Sequence, residues 1–342
     1  MILRWKGRGK MKLSVLDQAP ITKGNTATDA LAYAEELAVL ADELGYERMW
    51  MAEHHGTKRF ASSAPEITAA HLAAKTKRIR IGTGGVMMMH YSPLKMAEVF
   101  NTLSAFHPDR IDFGVGRAPG GDNYSIYALS EGNQPDVYHL YEKFSTTLKL
   151  IKGDIPNNRL YDKTVAMPNH IVLPEAWMLG SSGQSAIQTA KLGAGYAFAQ
   201  FFNGDLSEKM IKLYKEHFIP SDFMEKPQTL VCYMATVCET REEAEYEGKP
   251  QDIARMLLQQ GKAPITLTPK EAKDYPLTEF DKIDIERNRN RGMHIVGSAE
   301  DVAETLLKEQ AIYGFDEAMI CSIPHAQAKR LNVYRLLAEK LL

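Results

Sequence analysis

The chain has 342 residues, 44% of them hydrophobic and 25% charged, enough apolar material for a large buried core. A formal net charge of −2 and a pI near 6.6 exclude the overall basic field that draws proteins to nucleic acid or anionic lipid, so small-molecule chemistry leads. Three cysteines, Cys232, Cys238 and Cys321, show neither C-x-x-C spacing nor a disulfide framework, which points to a reducing cytoplasm; no apolar run approaches the ~20 residues that cross a bilayer.

The first ten residues, MILRWKGRGK, are basic and lead into no apolar stretch of the kind a secretory signal needs, so they read as a disordered or artificial extension. From Met11 onward, short β-type apolar runs alternate with segments of helical periodicity, the pattern of βα units around a parallel sheet. Residues 12–18 predict a buried strand. Leu31, Ala34, Leu37, Ala38, Ala41 and Leu44 then share one helical face, and Gly45 stands where that helix should stop. Strand two is predicted at 46–55, a helix at 65–77, strand three at 79–88, a helix at 93–107 with Leu94, Ala97, Phe100 and Leu103 in register, and strand four at 110–116. A polar connection beyond residue 152 leads to strands at 176–182, 195–202 and 229–238, with helices at 183–193 and 205–217 between them. Residues 240–292 are mostly charged, with helical fragments such as 253–260, before SAEDVAETLLKEQ and a last strand at 315–322 resume the rhythm. Eight strand candidates, each followed by a helical segment, favour an α/β fold of the closed (β/α)8 TIM-barrel type over an open doubly wound sheet. We expect one barrel domain over 11–342, with the 240–292 stretch too charged to build a core alone and inserted near the barrel's mouth.

In such a barrel the chemistry gathers where strands end and βα loops begin. Strand two ends in Glu53-His54-His55, strand three in Gly84-Gly85, strand four in Gly114-Val115-Gly116-Arg117, and strand five in Gly180-Ser181-Ser182-Gly183. The last run opens a helix, whose free amides and partial positive charge suit an anion such as phosphate; it reads equally as a helix cap on a flexible turn. Arg117 is placed for a bidentate grip on the same phosphate, or for a structural salt bridge. Gly84-Gly85 marks a bulge, the close approach of something flat, or a packing need. In strand geometry His54 and His55 point to opposite faces, which makes them poor joint metal ligands; one imidazole could serve as acid or base with Glu53 or His55 in support, or the two form a hydrogen-bonded structural pair. No metal site is expected. GVGRAPGG is only superficially like a dinucleotide fingerprint, because its third glycine is out of place. Met49, Met51 and Met87 to Met89 look like core filling, as do Cys232 and Cys238.

Taken in order, MWMAEHH, IRIGTGGVMMMHYSPLKMAE, RIDFGVGRAPG, WMLGSSGQSA, GYAFAQFF and IVGSAEDVAETL resemble successive signatures of the luciferase-like monooxygenase family, from about residue 12 to the end. The similarity is to its single-subunit-type flavin-dependent oxidoreductases rather than to the light-emitting luciferases. It implies a (β/α)8 barrel, usually a homodimer, that binds FMN or reduced FMN with the isoalloxazine ring over the strand ends. By the same resemblance His54 is the catalytic histidine, and Gly84-Gly85 forms a non-proline cis peptide beneath the flavin. Arg117 with Ser181, Ser182 and Gly183 then holds the flavin phosphate, and Ala199 and Gln200 line the ring. Gly116 departs from the light-emitting members, which carry a reactive cysteine there, so neither bioluminescence nor a long-chain aldehyde substrate is implied. The implied reaction uses FMNH2 from a separate flavin reductase and O2 to oxygenate an unidentified small organic substrate. Other proteins of this barrel transfer hydride with F420, so an F420-dependent dehydrogenase stands as an alternative, and a flavin-binding protein without turnover as a second.

Overall fold

The computed structural model describes residues 10–117, 120–133, 139–262 and 264–342. Apart from the exposed Lys10, the expected N-terminal extension therefore lies outside the described residues. The strands are β1 (Lys12–Asp17), β2 (Arg48–Met51), β3 (Arg80–Thr83), β4 (Val86–Met87), β5 (Ile111–Gly116), β6 (Glu175–Gly180), β7 (Gly195–Ala199), β8 (Thr229–Cys238), β9 (Ile295–Ser298) and β10 (Glu317–Cys321). The helices are α1 (Ala27–Leu44), α2 (Pro65–Lys75), α3 (Pro93–Phe106), α4 (Asn123–Leu129), α5 (Leu140–Lys152), α6 (Gly183–Lys191), α7 (Gln200–Asn203), α8 (Glu208–His217), α9 (Arg241–Gln259), α10 (Pro269–Lys273), α11 (Glu279–Asn290), α12 (Ala299–Tyr313) and α13 (Gln327–Leu341).

Eight parallel strands close on themselves in the order β1, β2, β3, β5, β6, β7, β8 and β10, with β10 pairing both β8 and β1. This is the (β/α)8 barrel that the alternating pattern predicts. Outside it, the helices bury their apolar faces on the sheet. The fit of α1 shows how local chemistry fixes an element: Thr26 and Asp29 form a reciprocal capping box at its start, and Gly45 ends it in the left-handed region at φ 87°. Its buried face is the expected one over Ala34, Leu37, Ala38 and Ala41 and differs at its edges. Ala30 is buried with Ala34, Leu37, Ala38 and Ala41, whereas Leu31 is 40% exposed.

Side chains of alternate strand residues fill the barrel in layers. At the amino end of the strands, Arg48 donates to Asp112 at 2.8 Å, to Glu175 at 3.0 Å and to Glu317 at 2.9 Å, and Ser14 donates to Glu317. Above this ionic layer Trp50 and Trp177 meet edge to face with centroids 5.4 Å apart, both fully buried. Glycines opposite make room for them: a Cβ on Gly195 would stand 2.4 Å from the Trp177 ring, and one on Gly84 3.0 Å from Trp50. Cys232 and Cys321 join this inner apolar cluster, and Cys238 is buried at the end of β8.

The structure refines several boundaries. The predicted third strand is two pieces, β3 and β4, joined through Gly84 and Gly85. The predicted sixth strand stops at Ala199, where the chain turns into α7. The charged 240–292 stretch is more ordered than its composition suggests. It forms α9, α10 and α11, and Ile253, Met256, Leu257 and Ala272 make a small apolar cluster within it. It returns to the barrel through β9, which pairs the second half of β8 with Ala235 opposite Ile295 and Cys238 opposite Ser298.

Candidate functional site at the carboxyl ends of the strands

The floor of the barrel mouth is made by backbone. The Gly84–Gly85 peptide is cis, where the resemblance put one, and the Gly84 amide donates to Met51 O at 2.8 Å. Neither residue tolerates a side chain in this place. A Cβ on Gly85 would lie 2.9 Å from Gly114 O, and one on Gly84 2.9 Å from Leu16. Behind the floor, the fully buried Glu53 accepts from Met87 N at 2.8 Å, from the Tyr91 hydroxyl at 2.6 Å and from His55 Nε2 at 2.7 Å. These three bonds supply the partners a buried carboxylate needs and tie the end of β2 to β4 and the turn after it. The Tyr91 hydroxyl, buried against Glu53, is held well above its usual range.

His54 and His55 diverge, as strand geometry requires. His55 serves Glu53, and His54 faces the mouth, where its ring stacks on Phe60 at 4.6 Å and the Arg59 guanidinium lies 5.4 Å from the Phe60 centroid. Burial, followed by the charges of His55 and Arg59, lowers the His54 pKa to about 4. The imidazole is thus neutral at pH 7. Its Nε2 lies 3.1 Å from Gln18 Nε2, and because an amide nitrogen can only donate, Nε2 accepts and the imidazole proton sits on Nδ1. The other end of the same amide, Gln18 Oε1, receives the Cys321 thiol at 3.8 Å, and burial pushes that thiol up to about 12. Three strand ends, those of β1, β2 and β10, are joined in this way around one neutral base.

Across the mouth, β5 and β6 carry a second group. Ladder register sets Val115 against Met178, so Arg117, two residues on, stands beside Gly180 and next to Ser181. Arg117 is exposed. Ser182 is the N-cap of α6, its hydroxyl accepting from Ser185 N at 3.2 Å and its own amide donating to Ser185 Oγ at 3.1 Å. Its side chain is therefore occupied in shaping the turn, while the amides of Gly183 and Gln184 head the helix free of internal partners. Ala199 closes β7, two strands from Arg117, beside the Ser181 turn. Gln200 is turned inward: its amide donates to Arg291 O at 3.1 Å, accepts from Leu206 N at 3.1 Å, and the residue is 5% exposed.

Known proteins share the sequence pattern and the fold. The signatures of luciferase-like monooxygenases match residues 11–317. The chain belongs to the luciferase-like monooxygenase family. It is 36% identical to the N-acetyl-S-alkylcysteine monooxygenase of Bacillus subtilis, covering 97% of this chain and 98% of that protein. The crystal structure of apo-MsnO8 superposes with a TM-score of 0.86 at 34% identity, over 96% of this chain and 98% of that one. A likeness of fold alone extends to the oxygenating constituent of 3,6-diketocamphane monooxygenase from Pseudomonas putida, solved in complex with FMN, at TM-score 0.69 and 15% identity over 97% of this chain and 98% of that one.

Within this luciferase-like frame, the residues that motif reading passes over are Gln18, Arg59, Phe60 and Cys321. Gln18 was accessible from the strand's alternation, since Ser14, Leu16 and Gln18 share a face that points into the barrel. Arg59 and Phe60 lie on the loop after β2, where period-two logic has no hold. Among the described residues, no three of His, Cys, Asp and Glu group closely enough to hold a metal ion, and no helix is long and apolar enough to cross a membrane.

Proposed function

We propose that this protein is a flavin-dependent monooxygenase that takes reduced FMN from a separate reductase and uses O2 to oxygenate a small organic substrate. The observation that carries the reading is the pairing of Arg117 with the open first turn of α6 across the β5–β6 ladder, beside a floor of glycines on which no Cβ fits. The donor set matches the group: Arg117 and the amides of Gly183 and Gln184 are cationic or N–H donors suited to a phosphate dianion, and the helix dipole adds to them. Gly84 and Gly85 leave backbone, with no side chain, for a planar ring to lie on, bordered by Ala199 and the backbone of Gln200.

Bound reduced FMN would supply the two electrons that let O2 give one oxygen atom to the substrate. The remaining steps belong to the chain. Arg117, Ser181, Ser182 and Gly183 hold the phosphate end and so fix the register of the ring over Gly84–Gly85. The inward Gln200 amide fastens the loop after β7 and keeps that border in place. His54, neutral with its proton on Nδ1, meets the reacting face as a hydrogen-bonding group and not as a charge, and Gln18 holds its orientation. Phe60 and the inner apolar cluster keep water from the mouth.

Anaerobic titration with reduced FMN followed by mixing with oxygenated buffer tests the proposal. Micromolar binding, oxygen uptake on mixing, and at least about tenfold weaker binding in Arg117→Ala are expected. Tight binding of F420 in place of FMN, with no oxygen uptake, would turn the assignment to a hydride-transferring dehydrogenase. Binding of FMN with no oxygenation of any substrate and no effect of His54→Ala would leave a flavin carrier.

A further inference from the structure

Gln18 stands one residue beyond β1, between two partners that its amide serves with opposite ends. On one side His54 Nε2 lies 3.1 Å from Gln18 Nε2, and on the other the Cys321 thiol donates to Gln18 Oε1 at 3.8 Å. Gln18 is 8% exposed and Cys321 1%, so this link is shut off from bulk water. The backbone that carries the amide is held as well. The Asp17 carboxylate accepts from Ala19 N at 2.7 Å and from Arg330, and the Ala19 carbonyl accepts from Ala61 N at 2.9 Å, next to the Phe60 that stacks on His54.

The two ends of a primary amide have nearly the same shape. Turned over, this one would offer Oε1 to His54 and call for a proton on Nε2. What tells the ends apart is the group on the far side, and a thiol donates only while it keeps its proton. Burial, then the charge of Asp17, pushes the Cys321 thiol up to about 12 against the opposing charges of Arg330 and Arg255, so it is protonated at neutral pH. Its proton favours Oε1 on the β10 side, which turns the NH2 group toward His54 and occupies the lone pair of Nε2. His54 is itself neutral, since burial, followed by the charges of His55 and Arg59, lowers its pKa to about 4. The single ring proton then belongs on Nδ1. Among the described residues no group bonds Nδ1, and His54 is half-buried, so this N–H is the polar group the ring has left to offer.

We propose that Cys321 is a positioning residue: its thiol orients the Gln18 amide, and the amide holds His54 in the tautomer with its proton on Nδ1. Through this relay a residue of β10 decides that the imidazole works as a hydrogen-bond donor and not as a proton acceptor. The use of that donor during oxygenation rests on the preceding reading, whereas the tautomer does not depend on it.

Proton–nitrogen correlation spectra of the imidazole rings, recorded on the full chain with isotope-labelled histidines and no flavin, test the proposal; the His54 signals are those lost in His54→Gln. At pH 7 the wild type should show Nδ1 protonated and Nε2 unprotonated. Cys321→Ser, which keeps a donor in place, should retain that pattern. Cys321→Ala and the space-filling Cys321→Val should each lose the preference, from about fivefold or more to near parity, with the two nitrogen shifts drawing together. Gln18→Glu should move the proton to Nε2 and raise the His54 pKa by about 1–3 units, followed by titration of the same signals. A wild-type ring protonated on Nε2, the wild-type pattern kept in both Cys321→Ala and Cys321→Val, or an unchanged spectrum in Gln18→Glu would overturn the proposal. Flavin titration of the same proteins keeps the two claims apart. The tautomer preference without FMN binding refutes the flavin assignment alone, and FMN binding without the preference refutes the positioning role alone.

Discussion

His54 shows how much a residue's role depends on what surrounds it. An ordinary imidazole titrates near pH 6.5, and this one is carried to about 4 by burial and by its cationic neighbours. Because the folded state then binds the proton less readily than the unfolded chain, this residue's contribution is fully present above pH ~6.5 and is lost as pH falls toward 4. The loss amounts to at most about 3 kcal/mol. Urea midpoints followed from pH 7 to 4 should fall in the wild type, and in His54→Gln the part of that slope lying between pH ~6.5 and 4 should flatten. For activity, His54→Ala should reduce substrate oxygenation by about a hundredfold while leaving flavin affinity within about twofold, measured by product formation and by flavin titration. The strand-end position of His54 was legible in the sequence, since EHH closes an apolar run. Its neutrality was not, because that comes first from burial, which only the folded chain produces around it, and then from the charges of His55 and Arg59.

Elements meet through contacts that leave no slack. A Cβ on Gly114 would fall 2.0 Å from Thr83 O, backbone that cannot move without parting β3 from β5. Gly114→Ala should therefore cost about 3 kcal/mol or more, against ~1–3 kcal/mol for Gly195→Ala, where the neighbour is the Trp177 ring; chemical denaturation of both variants checks the order. Ser182→Ala removes the N-cap of α6 and should cost about 1 kcal/mol of stability and also weaken reduced-FMN binding by loosening the first turn. Elements with a strong apolar period, such as α1 and β8, were legible nearly to the residue. Helix α9 was visible only as a fragment because its buried face is partly Ala244, Gly248 and Asp252, small or polar residues that periodicity does not count. Asp252 is tolerated there because Arg289 and His294 neutralise it, a tertiary fact with no local signature. Strand β9 was missed for a related reason. Its partner is the outer half of β8, which extends beyond the barrel wall.

At the scale of the molecule, the two ends of the barrel do different work. The proposed flavin site lies at the carboxyl ends, and at the amino ends Arg48 binds carboxylates from β5, β6 and β10, fastening four strands through one side chain. Arg48→Met should destabilise the fold by about 3–5 kcal/mol, because Glu317 is left buried without a counter-charge while Asp112 and Glu175 keep only Arg80; the measurement is the urea midpoint at pH 7. Asp112 in this layer is held below its usual range by Arg80 and Arg48 despite its burial, so its contribution is present above pH ~4 and disappears as acid protonates it. The eightfold alternation made the barrel readable from sequence, whereas the ionic layer was not, since Ser14, Arg48, Asp112, Glu175 and Glu317 are scattered over three hundred positions. One consequence follows from the double use of β8. The chain leaves this strand at Cys238 and comes back at Ile295, opposite Ala235 on the same strand, so residues 239–294 depart from and rejoin the barrel at almost one point. They form a cassette. Its exchange between relatives would replace Gln251 and Ile265 together while the glycine floor, Arg117 and His54 stay where they are, which offers evolution and the protein engineer a way to reshape the cleft beside Arg59 and Phe60 without disturbing the barrel that carries it.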